Sequence, residues 1–309
     1  MKSYLYKILL FLFPIFIIIV ILELLLINIP NDYTYKKKYL DKNSSEIETL
    51  IFGLSHTFVG LRPEYIDGYT FNVSKNSQSL YYDYKIFQKY QSNFKNLKTI
   101  ILGVSYSSLW YRTQDLYKDS SLIFNYEKYY GIDSSKFIDF RLEIFNRPLR
   151  INYGMISKYY IDKKPIGMSQ EFGWGKRIEE RTDLLKSGKQ QAQKQTYRDI
   201  NSDKNIIKRN ESIMMLNSII NWSKQNNVNV LLLTTPMHLY FRENINPEQL
   251  EITIKTATEL AQNNENCMYV NFFSDKRFSD EDYIDASHLN ASGAEKLSKL
   301  VNLKIKEFQ

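Results

Sequence analysis

The sequence is poor in the residues that form disulfides, thiolate metal centres and phosphate loops. Among 309 residues there is one cysteine, Cys267, which excludes an intramolecular disulfide and a cysteine metal cluster. Its position at the start of an apolar stretch predicts a buried strand residue. No glycine-rich phosphate loop is present either. The lack of disulfides leaves the cellular compartment open, because many exported bacterial proteins have none.

The distribution of basic residues argues against a nucleic-acid partner. The formal net charge is +7, but the basic residues are spread along the chain and no nucleic-acid-binding motif is recognised. We therefore expect no nucleic-acid partner. A solvated, lysine-rich surface accounts for the charge, and attraction to an anionic surface or polymer is the alternative.

One long apolar run stands at the amino terminus. Ile8 to Leu22 is unbroken apart from one proline, and after Glu23 the run continues from Leu24 to Ile27. About twenty such residues cross a bilayer core of about 30 Å. Because no small-residue cleavage site follows, residues 1–30 are predicted to form an uncleaved, single-pass membrane anchor.

The orientation of this anchor is not settled by charge. Two lysines precede the run and four follow it closely, at positions 2, 7, 36, 37, 38 and 42. That count alone favours a cytoplasmic location for the folded part. We expect the opposite, an extracytoplasmic domain, because a short N-terminal anchor commonly behaves as an uncleaved signal.

Short apolar runs and helical patterns alternate in the rest of the chain. Five runs predict buried strands: Thr49–Leu54, Tyr69–Val73, Thr99–Val104, Val228–Thr234 and Met268–Phe273. The helical patterns between and after them are Leu80–Tyr90, Ile206–Gln225, Leu250–Asn263 and Ala291–Phe308. This alternation predicts an α/β fold with a parallel sheet covered on both faces. Functional sites in such sheets form beyond the carboxyl ends of the strands.

The predicted organisation is an anchor, a linker and one domain. The linker covers residues 31–46, and the domain covers 47–309 with an insertion at about 110–205. Within that insertion, Lys186 to Lys204 is expected to be a mobile, solvated arm. The insertion is interpreted as structural cover over the functional edge of the sheet, or as a lid or partner surface.

Gly53-Leu54-Ser55-His56 ends the first apolar run. Gly53 allows a tight turn, so Ser55 would be exposed at the carboxyl end of a strand. A serine there is a nucleophile if a base activates it. Alone, the residue is equally typical of a helix N-cap.

The base is expected from Asp285-Ala286-Ser287-His288, just before the last helix. An aspartate three residues before a histidine can orient one ring nitrogen, which leaves the other to accept a proton. The alternative is a capping loop in which Asn290 or Ser292 caps the helix. In a doubly wound sheet, the end of the first strand and the loop before the last helix fall on the same edge, so we predict Ser55, His288 and Asp285 as a catalytic set. With two of three histidines near this set, no metal site and no cofactor is expected.

These two blocks resemble the SGNH (GDSL-like) hydrolase superfamily. Its nucleophile follows Gly-x, matched by Gly53 to Ser55, and its last block is Asp-x-x-His, matched by Asp285 to His288. Leu289-Asn290-x-x-Gly293 continues the likeness. The resemblance covers residues 47–308 except the insertion, and it implies a flavodoxin-like, three-layer α/β/α fold. Thr57 rules out Gly-x-Ser-x-Gly, which disfavours the α/β-hydrolase fold.

The sequence departs from the family at the residues that would stabilise an oxyanion. Leu54 stands where the family has Asp, Ser77 lies near its second-block Gly, and Ser105 replaces the Asn of Gly-x-Asn-Asp. We expect backbone amides of Ser55 and of the Ser77 turn to serve instead, with the Ser105 hydroxyl as a further donor. One lost donor costs about 100- to 1000-fold in rate.

With the anchor, these departures are similar to the acyl-transfer branch of the superfamily. That branch includes polysaccharide O-acetyltransferase domains and the D-alanyl transfer protein of teichoic acid synthesis. His56 matches its first block, with a direct or a structural role. The resemblance implies a cell-surface polysaccharide or other acylated glycan as substrate, and a membrane-bound partner that supplies the acyl group. The alternative function is a non-catalytic scaffold or binding module in a polysaccharide assembly complex.

One further histidine faces the predicted edge. His238 follows the fourth apolar run after Thr234-Thr235-Pro236-Met237. It is predicted either to contact substrate or to support the loop.

Overall fold

The computed structural model describes residues 2–115, 120–132, 142–177 and 181–308. Its contacts divide the chain into two compact units. The anchor unit comprises Met1–Lys38 with Leu116–Met168, and the sheet unit comprises Tyr39–Asp115 with Ser169–Gln309. The segment 110–205, predicted as one insertion, is therefore shared between two units.

The sheet unit is built on a parallel sheet of five strands. They are β1 Thr49–Phe52, β2 Thr70–Asn72, β3 Thr99–Gly103, β4 Asn229–Thr234 and β5 Cys267–Asn271. Their order is β2-β1-β3-β4-β5, which is the order of flavodoxin-like sheets. The predicted fold class is confirmed. Cys267 is buried at the start of β5, and burial raises the pKa of its thiol to about 12.

Helices connect these strands and close the chain. Numbered along the chain, they are α1 Lys2–Ile27, α2 Asp32–Asn43, α3 Ser55–Gly60, α4 Leu80–Tyr90, α5 Ser120–Asn125, α6 Glu143–Asn146, α7 Leu149–Ile156, α8 Leu184–Gln195, α9 Asp203–Gln225, α10 Leu239–Arg242, α11 Pro247–Gln262 and α12 Ala291–Phe308. A short antiparallel pair, β6 Tyr283–Asp285 and β7 His288–Leu289, precedes α12.

Both faces of the sheet are covered. Side chains of β1, β3 and β4 on one face form a buried cluster with α12, through Ile51, Ile101, Leu231, Leu297 and Val301. Successive strand residues point to opposite faces. The residues that alternate with them, such as Leu50, Ile100 and Leu232, are also fully buried. On this second face α9 contacts β4 and α4 contacts α9.

A packed helix occupies the segment in which a mobile arm is expected. α8 begins after Asp183, whose carboxylate accepts a hydrogen bond from the Lys186 amide at 2.9 Å. Its small residues face α10 so closely that a Cβ at Gly188 would lie 2.6 Å from backbone atoms of Tyr240. The expectation is wrong for this half of the segment, because the packing uses small and polar side chains that resemble a solvated sequence.

Helix α2 lies within the predicted linker. The side-chain oxygen of Asn31 accepts hydrogen bonds from the amides of Tyr33 and Thr34, at 3.0 and 3.1 Å. Asparagine is a favoured residue at this position because it satisfies amides that have no partner in the helix.

Helix α1 is long and apolar enough to cross a bilayer. Tyr6–Ile27 has a mean hydropathy of 3.2 over its best window, and none of that window is buried within the protein. A helix of this length and composition at the amino terminus is typical of a membrane anchor and of a signal sequence.

Candidate active site

The turn from β1 into α3 presents Ser55 at the carboxyl edge of the sheet. Gly53 has φ +137°, and a Cβ there would lie 2.5 Å from the Thr57 hydroxyl and 3.2 Å from the Gly103 Cα. Only glycine fits such a backbone at this close approach. Ser55 is the first residue of α3 and is partly exposed.

The loop between β6 and β7 presents the other two predicted residues. Asp285 and His288 are paired across these strands. Asn290 then caps α12, since its side-chain oxygen accepts hydrogen bonds from the amides of Ser292 and Gly293, at 3.1 and 3.0 Å. Of the two predicted caps, the structure therefore uses Asn290.

The structure brings Ser55, His288 and Asp285 into one hydrogen-bonded chain. His288 Nε2 lies 2.8 Å from Ser55 Oγ. His288 Nδ1 lies 2.9 and 3.0 Å from the two carboxylate oxygens of Asp285. An ionised carboxylate only accepts, so Nδ1 carries the ring hydrogen and Nε2 is left to accept from Ser55. This arrangement suits a serine nucleophile with a histidine base.

Arg177, which was not among the predicted site residues, completes the surroundings of Asp285. Its guanidinium donates to Asp285 Oδ2 at 2.8 Å. Burial alone would raise the pKa of Asp285, but the hydrogen bond and charge of His288, the Ser287 amide and Arg177 hold this pKa well below its usual range. Asp285 therefore stays ionised beneath the imidazole. No short motif marks Arg177, which lies 108 residues away from Asp285.

Two more polar side chains hold the loop that carries Asp285. The Ser287 amide and hydroxyl both donate to Asp285 Oδ1, at 2.9 and 3.1 Å. From α8, the Ser187 hydroxyl accepts from the Ala286 amide at 3.2 Å. The predicted insertion thus contributes directly to the position of the acid, through Arg177 and Ser187.

A buried carboxylate also ties β1 to the turn after β2. Asp83 accepts from the Gly53 amide at 3.1 Å and from the Gln78 side chain at 2.6 Å. Asp83 is 1% exposed. These bonds fix the turn before Ser55 relative to the Ser77 turn. Asp83 lies inside a regular helix pattern, so the sequence did not distinguish it from a surface acid.

Ser77 and Ser105, the predicted oxyanion residues, both hydrogen-bond to neighbouring side chains. Ser77 adopts a left-handed backbone with φ +59°, a conformation that favours glycine, and its carbonyl accepts from the Thr113 hydroxyl at 2.7 Å. Ser105 Oγ lies 2.9 Å from Ser108 Oγ. The Ser105 hydroxyl thus has a partner within its own turn, and the roles of both residues stay predictions.

His56 packs on the ring of His288. The two ring centroids are 5.0 Å apart with an interplanar angle of 25°. Within the described part of the chain, neither ring nitrogen of His56 has a hydrogen-bond partner. Burial, with a smaller effect of His288, lowers the pKa of His56 to about 3. His56 is therefore neutral at ordinary pH and fixes one face of the base.

His238 has both ring nitrogens occupied. Nδ1 accepts from the Tyr240 amide at 3.2 Å, and Nε2 lies 2.9 Å from Asp280 Oδ1. Its own amide donates to the Ala286 carbonyl at 3.0 Å. These contacts favour the predicted loop-supporting role over the predicted substrate contact.

Metal-ligating side chains are not clustered in the described part of the chain. Across the described ranges, no group of three or more His, Cys, Asp or Glu side chains is arranged to hold a metal ion.

Comparison with known proteins yields structural likeness only. No protein-family model and no curated protein matches the sequence. A structure described as a candidate platelet activating factor from Streptococcus pneumoniae has a TM-score of 0.45 and 13% identity, over 90% of this chain and 91% of that chain. A candidate acylhydrolase from Bacteroides fragilis has a TM-score of 0.42 and 10% identity, over 90% of this chain and 96% of that chain. At identities this low, the functions of those proteins cannot be assigned to this chain.

Proposed function

We propose that this protein is a serine-dependent acyl-ester enzyme of the SGNH type, an O-acyltransferase or esterase. One observation carries the proposal, the bonded chain Ser55–His288–Asp285 at the carboxyl edge of the sheet. A serine hydroxyl gains nucleophilic character only beside a base that is itself oriented. His288 lies beside Ser55 as the base, and Asp285 orients it.

The proposed reaction has two stages, acylation and deacylation of Ser55, with two proton transfers through His288 Nε2 in each. Ser55 Oγ attacks the ester carbonyl while its proton passes to His288 Nε2, and Asp285 stabilises the imidazolium. The intermediate collapses, the leaving alcohol takes the proton from Nε2, and an acyl-Ser55 ester remains. An acceptor hydroxyl or water then loses its proton to Nε2 and attacks the acyl group. As this second intermediate collapses, Nε2 returns the proton to Ser55 Oγ, which regenerates the enzyme.

The oxyanion of each intermediate would be held mainly by backbone amides. The first amides of α3, starting at Ser55, have no carbonyl partner inside the helix. The turn at Ser77 supplies a second candidate amide. Because Ser105 already bonds to Ser108, we expect weak side-chain assistance and slow hydrolysis in water.

We propose a cell-surface polysaccharide or other acylated glycan as the substrate. The apolar helix Tyr6–Ile27 supports a location at a membrane, and the likeness of the first block to acyl-transfer members supports glycan chemistry. A membrane-bound partner would supply the acyl group, and the sheet unit would lie outside the cytoplasm. An assay with glycan acceptor separates the two activities, since transfer puts acyl groups on glycan and hydrolysis releases only free acid.

A fluorophosphonate probe tests the nucleophile. The full chain in detergent is treated with the probe, and intact mass is measured beside Ser55→Ala, His288→Ala and the matched surface control Ser218→Ala. We expect one adduct on wild type and on the control, and none on the two site variants. Absence of an adduct on folded wild type would overturn the hydrolytic mechanism and leave a partner-dependent transferase or the scaffold alternative.

A further inference from the structure

The anchor unit exposes an unusual number of large apolar side chains. Between residues 145 and 161 there are five that are 50–73% exposed: Phe145, Leu149, Ile151, Tyr153 and Ile161. Outside this stretch and α1, the exposed large apolar residues of the described chain occur singly between Leu185 and Leu303. Isolated apolar residues are ordinary, whereas a concentrated group indicates contact with another apolar phase.

The opposite side of the same stretch packs on the end of α1. Ile144 forms a buried cluster with Leu26 and Ile29, joined by Met155, Ile156, Tyr159 and Tyr160. The Tyr160 hydroxyl donates to the Leu25 carbonyl at 2.9 Å. Helix α7 thus exposes Leu149 and Tyr153 and packs Met155 and Ile156 toward α1, with exposed Arg150 and buried Asn152 as its polar side chains.

Two polar contacts fix where residues 144–161 pack along α1. Glu23 accepts from the Ile144 amide at 3.1 Å and lies 3.6 Å from Lys128 Nζ. A carboxylate near the end of an apolar helix requires such partners. The contacts of the stretch thus concentrate on the last turns of α1, close to Ile27.

The length of α1 indicates how deep in a bilayer its last turns would lie. Tyr6–Ile27 has 22 residues, which is about 33 Å of helix and close to the thickness of a bilayer core. A segment packed on its final turns lies at the boundary between acyl chains and headgroups. Residues 142–164 hold five Lys or Arg and two Asp or Glu, and this basic excess suits anionic headgroups.

We propose that residues 145–161 form an interfacial collar, a lipid-binding surface that enters the same bilayer as α1. The outward side chains of Leu149 and Tyr153 contact lipid, while the inward side chains hold the anchor helix. The collar gives the anchor a fixed depth. This inference rests on α1 being a membrane helix and is independent of the chemistry at Ser55.

Site-directed nitroxide labelling of the full chain tests the collar. Single substitutions Leu149→Cys and Tyr153→Cys are compared with Met214→Cys and Leu303→Cys, which are similarly exposed positions of the sheet unit. Phe16→Cys reports on α1. Native Cys267 is buried, and the unsubstituted chain serves as the labelling blank. Each protein is placed as a single copy in nanodiscs of phosphatidylcholine and phosphatidylglycerol, so that a second copy cannot cover the surface.

Accessibility to oxygen and to a nickel chelate is then measured. We expect the oxygen-to-nickel ratio at positions 149 and 153 to exceed that at 214 and 303 by about tenfold, as for an interfacial helix. If the ratios at positions 149 and 153 equal those at 214 and 303 while position 16 keeps a high ratio, the collar is overturned and the membrane anchor remains. If position 16 also matches them, anchor and collar both fail. Neither result depends on the activity of Ser55.

Discussion

The candidate site has a base side, around His288 and Asp285, and a carbonyl side, where an oxyanion would form, and they differ in the number of fixed hydrogen bonds. On the base side, Asp285 receives bonds from His288, Ser287 and Arg177. On the carbonyl side, the Ser105 and Ser108 hydroxyls lie 2.9 Å apart and either of them can be the donor. The bonded chain around His288 is thus complete without substrate, whereas the Ser105 hydroxyl is not committed to an oxyanion. Because acylation and deacylation of Ser55 in the proposed reaction both pass through an oxyanion, weak stabilisation there would slow both steps.

The largest expected effect is loss of the nucleophile or the base. We expect Ser55→Ala and His288→Ala each to lower kcat/KM for an acetyl ester by about a thousandfold or more. Since the two residues act as one unit, the double variant should be no slower than either single variant. Additive losses in steady-state assays would show that Ser55 and His288 act separately.

Asp285→Asn should have the next largest effect, with kcat lowered by about 100- to 10,000-fold. The amide group would donate to His288 Nδ1, so the ring hydrogen would move to Nε2 and Ser55 would lose its acceptor. Steady-state kcat and fluorophosphonate labelling rates measure this. A loss below tenfold would mean that Asp285 does not set the tautomer.

Arg177→Gln should lower kcat by about tenfold, because the Asp285 carboxylate loses one of the donors that position it beneath His288. With the cation removed, the pKa of Asp285 rises but the carboxyl stays ionised near neutral pH, so the loss in kcat should be the same across that range. KM should stay unchanged. The exposed Arg198→Gln is the matched control, and an equal response of both variants would assign Arg177 a general charge effect.

His56→Phe should change the pH dependence of stability. The pKa of His56 is about 3 when folded and 6.5 in its ordinary state, so between these values the unfolded chain binds a proton that the folded chain does not. The free energy of unfolding therefore falls as pH falls below 6.5, by up to about 1.4 kcal/mol per pH unit. The variant should lose this slope in urea titrations followed by tryptophan fluorescence. Parallel slopes would place a proton on buried His56.

The smallest expected effect is at Ser105. Because its hydroxyl bonds to Ser108, Ser105→Ala should lower kcat by less than about tenfold, below the loss typical of an oxyanion donor. Ser108→Ala is the matched control, since it frees the Ser105 hydroxyl without removing it. A 100-fold loss in kcat for Ser105→Ala, without a loss for Ser108→Ala, would show that the Ser105 hydroxyl donates to the oxyanion.

Regular elements were predictable because their signals are local. The patterns for α4 and α12 have the bounds that the structure shows, Leu80–Tyr90 and Ala291–Phe308. Apolar runs likewise predicted the five strands to within a few residues. Helix α8 was not predictable in this way, because its face of small residues such as Gly188 packs closely but carries no hydrophobic period to identify a helix.

By itself the sequence determined the five-stranded α/β fold, the apolar N-terminal helix and the candidates Ser55, Asp285 and His288, because each follows from short patterns and strand ends. Only the tertiary structure decided that Arg177 meets Asp285, that Ser105 turns to Ser108 and that His56 lies on His288. These contacts depend on how distant segments cross the sheet edge. Their energies come from burial and hydrogen-bond geometry, which no local pattern records.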